Sequence, residues 1–263
     1  MSRTLPLLQN LPTSAGYYRA EAKYADLLKR VGLVDGMSVF EHPKIDVWRS
    51  ITERENCVLD ADGTRLHIKR NKPRHAGVDE EAAAIRLLMN ANLPTVPLVA
   101  AGRLNDGRGF LITEDLAGFD DADIRVRDGL PFERVVGPTA ALAGGLHAAG
   151  LHHRDLYLCH FYVRIDGDLV QARLMDAGRV RPLPKWFRRR WLVKDVAQMV
   201  YSLRQLDVPP AQVNEWLTRY AAAGGAAIDA SFRRAVDRKV AWITRHDAKL
   251  RAREPTRNVS IDR

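Results

Sequence analysis

The hydrophobic and polar positions divide the chain into a mixed first part and a mainly helical second part. Apolar residues at helical spacing predict a first helix over residues 20–34, and alternation between residues 47 and 69 predicts strands. Within those strands, the segment DADG at residues 60–63 is typical of a hairpin turn. The remaining elements of this small sheet-and-helix unit are predicted at residues 79–90 (helix), 99–100 and 110–113 (strands).

Helical spacing dominates the second part of the chain. Helices are predicted over residues 132–149, 193–206, 210–223 and 229–253. One late hairpin interrupts them at residues 161–175 and turns at an Asp-Gly-Asp segment. This order predicts an α+β fold with an N-terminal lobe over residues 1–114 and a helical C-terminal lobe over residues 115–263.

Composition narrows the class of protein. The 263 residues are 46% hydrophobic and 28% charged, which excludes a disordered or fibrous chain and allows a substantial core. No apolar run approaches the roughly 18 residues of a membrane span, and the first 18 residues are too broken by proline for a secretory signal. Only two cysteines are present, which suits a reducing compartment. We therefore expect a cytoplasmic protein.

The net charge of +9 admits two interpretations. A basic chain favours polyanionic partners, such as a phosphorylated substrate or an anionic membrane surface. An arginine-rich composition of the whole genome would give the same value. No nucleic-acid-binding motif accompanies the charge, so no nucleic-acid partner is expected.

One lysine and three acidic residues follow one another along the chain in an order that indicates a catalytic site. The segment HRDLYLCHF at residues 153–161 places Asp155 in a loop between a helix and a strand, and Asp176 follows 21 residues later. Upstream, Lys69 ends an apolar strand, and Glu81 lies on a helix 12 residues further on. Phosphoryl transfer needs a lysine for the donor phosphates, a glutamate that positions it, one carboxylate for the acceptor hydroxyl and another for a divalent metal. The four residues together therefore indicate a phosphotransferase.

The same segments resemble the lipopolysaccharide kinase family, which includes the inner-core heptose kinases. The resemblance spans roughly residues 65–200 and rests on HRDLYLCHF (153–161), ITEDL (112–116), HAAG (147–150), Asp176 with Arg179, and Trp191 with Lys194 and Asp195. It implies a bilobal protein-kinase-like fold. It also implies ATP-dependent, magnesium-assisted phosphorylation of a heptose or Kdo hydroxyl of the lipopolysaccharide core. The basic charge adds the expectation of peripheral contact at the inner face of the inner membrane.

The resemblance also implies a role for each residue that matches the family's motifs. Lys69 would hold the ATP phosphates and Glu81 would pair with it. Glu80 competes for that role, but Glu81 shares a helix face with the apolar residues that follow. The remaining assignments are Asp155 as the catalytic aspartate, Asp176 as the metal aspartate, Asp195 as a brace for the catalytic loop, and Glu114 with Leu116 at the hinge near the adenine.

Two features depart from ordinary protein kinases. Residues 52–56 occupy the place of the glycine-rich loop and contain no glycine, so the donor phosphates must be held differently. His160 stands five residues after Asp155, where protein kinases carry a metal-binding asparagine. An imidazole is a poor magnesium ligand. The family shares this histidine, and a role beside the metal or phosphate and a purely structural hydrogen bond both stay open.

Two aspects of this interpretation have alternatives: the function of the chain and the role of two surface segments. The acceptor could be a protein or another small molecule, or the chain could be a pseudokinase scaffold that transfers nothing. The segment KWFRRRW at residues 185–191 would bind sugars, phosphates or a headgroup layer, or it would be a surface loop with its tryptophans packed inward. The apolar stripe of the last helix favours packing on the helical lobe over membrane binding.

Overall fold

The computed structural model describes residues 16–73, 75 and 77–253, so most of the N-terminal stretch considered above as a targeting signal lies outside the described residues. The chain forms two compact units. The first contains the described residues up to Ala82 together with Pro97–Asp115, and the second contains Ala83–Val96 and the described residues from Leu116 onward. The lobe boundary expected after residue 114 stays a prediction.

The first unit is built on one six-stranded antiparallel sheet. Its strands follow the order β1-β5-β6-β4-β3-β2. Their bounds are β1 Tyr17–Ala20, β2 Asp46–Ser50, β3 Arg54–Ala61, β4 Thr64–Asn71, β5 Leu98–Arg103 and β6 Gly109–Glu114. Two short helices, α1 (Ala25–Arg30) and α2 (Gly36–Glu41), accompany the sheet. Alternate residues of β3 and β4 pack with both helices in one apolar core.

The predicted hairpin between β3 and β4 is confirmed, and its turn explains the tight connection. Ala61 pairs with Thr64, so only Asp62 and Gly63 connect the strands. Both have positive φ angles, 52° and 80°. This is the backbone that a two-residue turn needs if it is to match the twist of its strands.

The helix predicted over residues 20–34 is wrong in its first part. Tyr17–Ala20 is a strand that pairs with β5, and the α-helix runs only from Ala25 to Arg30. Ala20, the first residue of the predicted range, ends this strand, and a 3-10 turn over Ala22–Tyr24 precedes the α-helix. A Schellman motif terminates this helix just after Arg30. Gly32 has a φ of +78°, and the Leu33 amide donates to the Leu28 carbonyl.

Helix α3, Val78–Asn90, confirms the helix predicted over residues 79–90. The second unit is mainly helical, with α4 Ala122–Arg127, α5 Glu133–Ala148, α6 Arg188–Gln205, α7 Pro210–Ala222 and α8 Ala230–Arg253. Its short strands are β7 Asp120–Asp121, β8 Leu151–His152, β9 Phe161–Asp166, β10 Leu169–Leu174 and β11 Arg181–Pro182. Strands β9 and β10 form the predicted late hairpin.

Helix α6 begins five residues earlier than the predicted start at 193. Three arginines at a helix N-terminus interact unfavourably with the helix dipole. Tertiary contacts outweigh that cost. Arg188 donates to the His147 carbonyl at 3.1 Å, and Arg189 donates to the Ser231 hydroxyl at 2.7 Å.

The last helix packs as predicted. Its apolar stripe, Phe232, Val236, Val240 and Ile243, is buried, and α8 lies against α6. Among the described residues, no helix combines the length and the apolar composition that crossing a bilayer requires.

Candidate active site

Lys69 and Glu81 form a close ion pair in the first unit. Lys69 lies on β4, between β3 and β6, and its Nζ donates to Glu81 Oε1 at 2.6 Å. The lysine side chain is 30% exposed and the glutamate only 10%. Glu81, rather than its neighbour Glu80, makes this contact. The amine is thereby held at the sheet surface while keeping access to solvent.

The first turn of α3 is fixed to the same sheet. Asp79 accepts hydrogen bonds from the Tyr17 hydroxyl at 2.6 Å and from Arg103 Nε at 2.8 Å. Since Asp79 and Glu81 lie in one helical turn, these contacts with β1 and β5 orient the glutamate toward Lys69. The pair therefore depends on three strands rather than on two side chains alone.

Asp195 holds the backbone of the loop that contains Asp155 in the second unit. We call this contact the Asp195 clamp. The Asp195 carboxylate is fully buried and accepts bonds from the amides of His153 at 2.7 Å and Arg154 at 2.9 Å. His147 Nε2 lies 3.2 Å from the same carboxylate. Burial alone would raise the pKa of Asp195, but the bonds from His147 and from the His153 amide outweigh it and hold the pKa below its ordinary value.

This clamp stabilises an unusual backbone. Arg154 has a φ of +69° and Asp176 a φ of +50°, in the left-handed region that non-glycine residues rarely adopt. Such conformations persist where the surroundings over-determine them, often at functional sites. His153 supplies a second tie, since its Nε2 donates to the Met175 carbonyl at 3.1 Å. The loop of Asp155 and the strand end before Asp176 are thus connected directly.

The Asp155 carboxylate is oriented on both oxygens. Gln198 Nε2 donates to Oδ1 at 3.2 Å, and Arg179 lies 3.7 Å from Oδ2. Lys194 donates to the Arg154 carbonyl and to Gln198 Oε1. Burial lowers the pKa of Lys194 to about 8, although the nearby aspartates oppose that shift.

Asp155, His160 and Asp176 form the candidate metal-binding cluster. One ligand atom of each residue lies within 4.8 Å of the others. His160 Nδ1 lies 2.6 Å from the Asp155 carbonyl, so Nδ1 carries the proton, and Nε2 faces Asp176 Oδ2 at 3.8 Å. The two carboxylates are the oxygen ligands that magnesium prefers. The donor set therefore fits a divalent metal, and His160 combines a structural hydrogen bond with a position beside it.

The predicted hinge residues lie where the division between the units falls. Glu114 is the last residue of β6, and its carboxylate accepts a bond from the Tyr24 hydroxyl. Its amide donates to the Pro97 carbonyl at 3.0 Å. Leu116 is the first residue of the second unit's longer segment. The Glu114 side chain is therefore occupied within its own unit.

Cys159 in the motif and His152 directly before it have no catalytic feature. Cys159 is buried, and burial raises the pKa of its thiol, which argues against a nucleophile. His152 is buried against Trp191, with ring centres 4.6 Å apart, and burial lowers its pKa to about 4. Trp191 is therefore packed inward, whereas Trp186 is 93% exposed. Binding of a sugar, phosphate or headgroup layer by this segment stays a prediction.

Sequence reasoning missed three groups around Asp155. Arg179 was noted only as part of the resemblance, and neither Lys194 nor Gln198 was assigned to the aspartate. A helical spacing was the available signal, since Gln198 follows Lys194 by four residues and Asp195 by three on α6. One helix thus supplies both Asp195, which accepts the amides of His153 and Arg154, and Gln198, which donates to the Asp155 carboxylate.

Comparisons with known proteins agree with this geometry. Residues 54–220 match the sequence profile of the lipopolysaccharide kinase (Kdo/WaaP) family. The chain is 29% identical over 162 residues to the lipopolysaccharide core heptose(I) kinase WaaP of Pseudomonas aeruginosa, covering 55% of this chain and 59% of that protein. For WaaP of Escherichia coli the identity is 26% over 167 residues, covering 56% and 61%. The matched segment thus spans about three fifths of these relatives' length.

A solved structure supports the fold. WaaP in complex with acyl carrier protein aligns with a TM-score of 0.69 at 23% identity, over 89% of this chain and 99% of that one. The predicted kinase-like α+β fold is thereby confirmed. Because the profile matches well over half of the 263 residues, this chain belongs to the lipopolysaccharide kinase (Kdo/WaaP) family.

Proposed function

We propose that this protein transfers the γ-phosphoryl group of ATP to a sugar hydroxyl of the lipopolysaccharide inner core. The observation that carries the proposal is the Asp155 carboxylate, held by Gln198 and Arg179 beside His160 and Asp176. Membership of a kinase family supports ATP as the donor and a divalent metal as its companion. The names of the curated relatives support heptose as the acceptor sugar.

In this proposal, each side chain acts through the contacts described above. Asp155 orients the acceptor hydroxyl and receives its proton as the new O–P bond forms and the bond to the bridging oxygen of ADP breaks. Lys69, positioned by Glu81, binds the donor phosphates. Asp176, with His160 beside it, would hold a magnesium ion, which when bound neutralises phosphate oxygens.

The nucleotide would be held mainly by the first unit. Because the Glu114 carboxylate is occupied by Tyr24, we propose that Glu114 and Leu116 meet the adenine through their main chain. The segment between β2 and β3 lacks glycine and cannot approach phosphates closely. Lys69 therefore carries a larger share of phosphate binding than in kinases with a glycine-rich loop.

Peripheral membrane contact is part of the proposal. Trp186 and Phe187 are 93% and 63% exposed and directly precede Arg188–Arg190 at the start of α6. Exposed aromatic rings beside arginines match the chemistry of an anionic headgroup layer. A glycolipid acceptor would be presented at such a surface.

The test is transfer from labelled ATP to deacylated core oligosaccharide from a strain in which this gene is deleted. The wild-type protein with magnesium should label the oligosaccharide. Asp155→Asn should lower the rate about a hundred- to ten-thousandfold, because the hydroxyl proton loses its acceptor. The melting temperature should stay near that of wild type, and Asp237→Asn on the exposed face of α8 serves as the matched control.

Other outcomes would change the assignment. Transfer to peptides or small molecules, with none to the oligosaccharide, would replace the acceptor. A nucleotide-dependent thermal shift without transfer to any acceptor would favour the pseudokinase scaffold. Undiminished transfer by Asp155→Asn would remove this carboxylate from the mechanism.

A further inference from the structure

A basic pocket of about 600 Å³ lies within the second unit, between the catalytic loop and helices α6 and α8. Its size matches that of pockets for sugar-sized ligands. The cations that line it are Arg154, Arg179, Arg189, Arg190, Lys194 and Lys239, and the ring of Trp191 forms part of its wall. Among the described residues that line it, none is acidic. The pocket therefore offers several positive charges to one ligand.

Arg179 lies 3.7 Å from Asp155 Oδ2, whereas the other five cations form no ion pair with a carboxylate within the described part of the chain. Within the described part of the chain, ion pairs hold Arg204 to Asp237, Arg219 to Glu215 and Arg251 to Asp247 in the same unit. In the pocket, by contrast, the guanidinium of Arg154 stacks on Trp191 at 5.0 Å, and Lys239 lies 3.6 Å above the ring of Trp242. The Nε atom of Arg154 is buried and has no hydrogen-bond partner in the described chain.

Stacking on aromatic rings fixes a cation while leaving its donors for an anion. Unpaired cations that crowd together repel one another, and the cost is recovered when an anion binds between them. Burial is the main cause that lowers the pKa of Lys194; Asp195 and Asp155 oppose the shift, and Arg179 and Arg154 add to it. The arrangement is thus suited to a phosphate or carboxylate.

The pocket adjoins the catalytic carboxylate. Arg179 lines it and lies 3.7 Å from Asp155 Oδ2. Lys194 lines it too, and contacts Gln198, which donates to Asp155. A sugar whose hydroxyl lies at Asp155 would therefore carry its neighbouring groups into the pocket.

We propose that this pocket binds an anionic group, phosphate or carboxylate, already present on the acceptor next to the sugar that is phosphorylated. The inference rests on the proposed function and deepens it, because it requires an anionic acceptor. A neutral heptose oligosaccharide would be a poor substrate. The pocket would thereby select core that already carries its acidic sugars or phosphates.

The experiment compares the double variant Arg190→Gln/Lys239→Gln with the wild type. Neither residue touches Asp155. Three acceptors are used: intact deacylated core oligosaccharide, the same oligosaccharide after dephosphorylation, and the same after reduction of its carboxyl groups. The double variant should raise KM for the intact acceptor about ten- to hundredfold, with kcat within about threefold, because charge-assisted hydrogen bonds are lost. The acceptor lacking the recognised anion should show a high KM with both proteins.

Arg238→Gln is the matched control, since it removes the same charge from the same helix at an exposed residue that does not line the pocket. An equal rise in KM for this control would show that the loss of positive charge anywhere on the surface causes the effect, and it would overturn the proposal. An unchanged KM in the double variant would overturn it as well. A raised KM for the dephosphorylated oligosaccharide would identify phosphate as the bound group. A raised KM for the carboxyl-reduced oligosaccharide would identify carboxylate.

A binding measurement separates this proposal from the proposed function. Asp155→Asn protein is titrated with fluorescently labelled intact oligosaccharide, with and without the two pocket substitutions. Binding that depends on Arg190 and Lys239 but is never followed by transfer in the wild type would support the pocket and refute the kinase activity. If the double variant binds the oligosaccharide and transfers phosphate as the wild type does, the result would support the kinase activity and refute the pocket.

Discussion

One buried carboxylate, Asp195, shapes the catalytic loop at the residue scale. It accepts two consecutive backbone amides, and the second belongs to Arg154 in its left-handed conformation. The two amides bond different carboxylate oxygens, so an asparagine in the same place would set its NH2 donor against one of them. The geometry of the loop and the stability of the unit therefore depend on the same group.

Asp195→Asn should lower the free energy of unfolding by about 3 kcal/mol, because a buried, hydrogen-bonded charge is replaced by a group with an unsatisfied contact. Urea denaturation measures the loss. Asp237→Asn should cost less than about 1 kcal/mol, since its pair with Arg204 is exposed. Equal losses in the two variants would contradict the clamp.

Acid sensitivity is a second consequence of burial. The pKa of His152 is lowered from 6.5 to about 4, so the unfolded chain takes up this proton at a higher pH than the folded chain. The free energy of unfolding should fall as the pH drops from about 6.5 to about 4, by at most about 3 kcal/mol from this residue. His152→Phe keeps a ring against Trp191 and cannot be protonated, so denaturation at pH 7 and pH 5 should differ less. An unchanged difference would assign the sensitivity to other groups.

Much of the site could be predicted, because its chemistry uses residue types in a fixed order. Lys69, Glu81, Asp155 and Asp176 were predicted from that order together with the family resemblance, and the first two are indeed in contact. Gln198 escaped prediction, since a glutamine in a helix carries no signal until the fold brings it to Asp155. The basic pocket escaped for the same reason: its cations come from four separate stretches of chain.

At the element scale, local rules predicted the hairpins and long helices, and tertiary contacts decided the rest. The β3–β4 turn follows from its Asp-Gly pair. The edge strand Tyr17–Ala20 could not be foreseen, because its partner β5 lies about 80 residues away in the chain. The early start of α6 depends on acceptors in α5 and α8 that the local sequence does not contain.

Two glycines test these local rules in opposite directions. Gly63→Ala should lower the free energy of unfolding by about 1 kcal/mol, because alanine is strained at a φ of +80° although nothing lies within 4 Å of its Cβ. Gly137 lies inside α5, where an added Cβ would meet the nearest atom at 3.6 Å. Gly137→Ala should raise the free energy of unfolding by about 0.5–1 kcal/mol through reduced backbone entropy. Thermal or urea denaturation measures both, and a destabilising Gly137→Ala would contradict the helical assignment.

At the scale of the whole molecule, charge and exposed rings predict where the protein is found. The net charge of +9 attracts anionic surfaces, and Trp186 with Phe187 provides apolar groups for insertion. Co-sedimentation with vesicles of anionic phospholipid should exceed that with neutral vesicles and should weaken as salt rises. Trp186→Ala/Phe187→Ala should reduce it about tenfold or more, since two large apolar side chains leave the bilayer. The partly exposed Trp242, replaced by alanine, is the control; equal losses would point to charge alone.

The left-handed backbone at Arg154 lowers the stability of the fold, while the arginine side chain at this position lines the basic pocket. Glycine would adopt that φ without strain, so a chain selected only for heat resistance would drift toward it. An arginine there instead keeps a guanidinium stacked at the mouth of the pocket. In the role proposed for the pocket, the strain at this one position lowers the stability of the fold and places a cation where the acceptor is recognised.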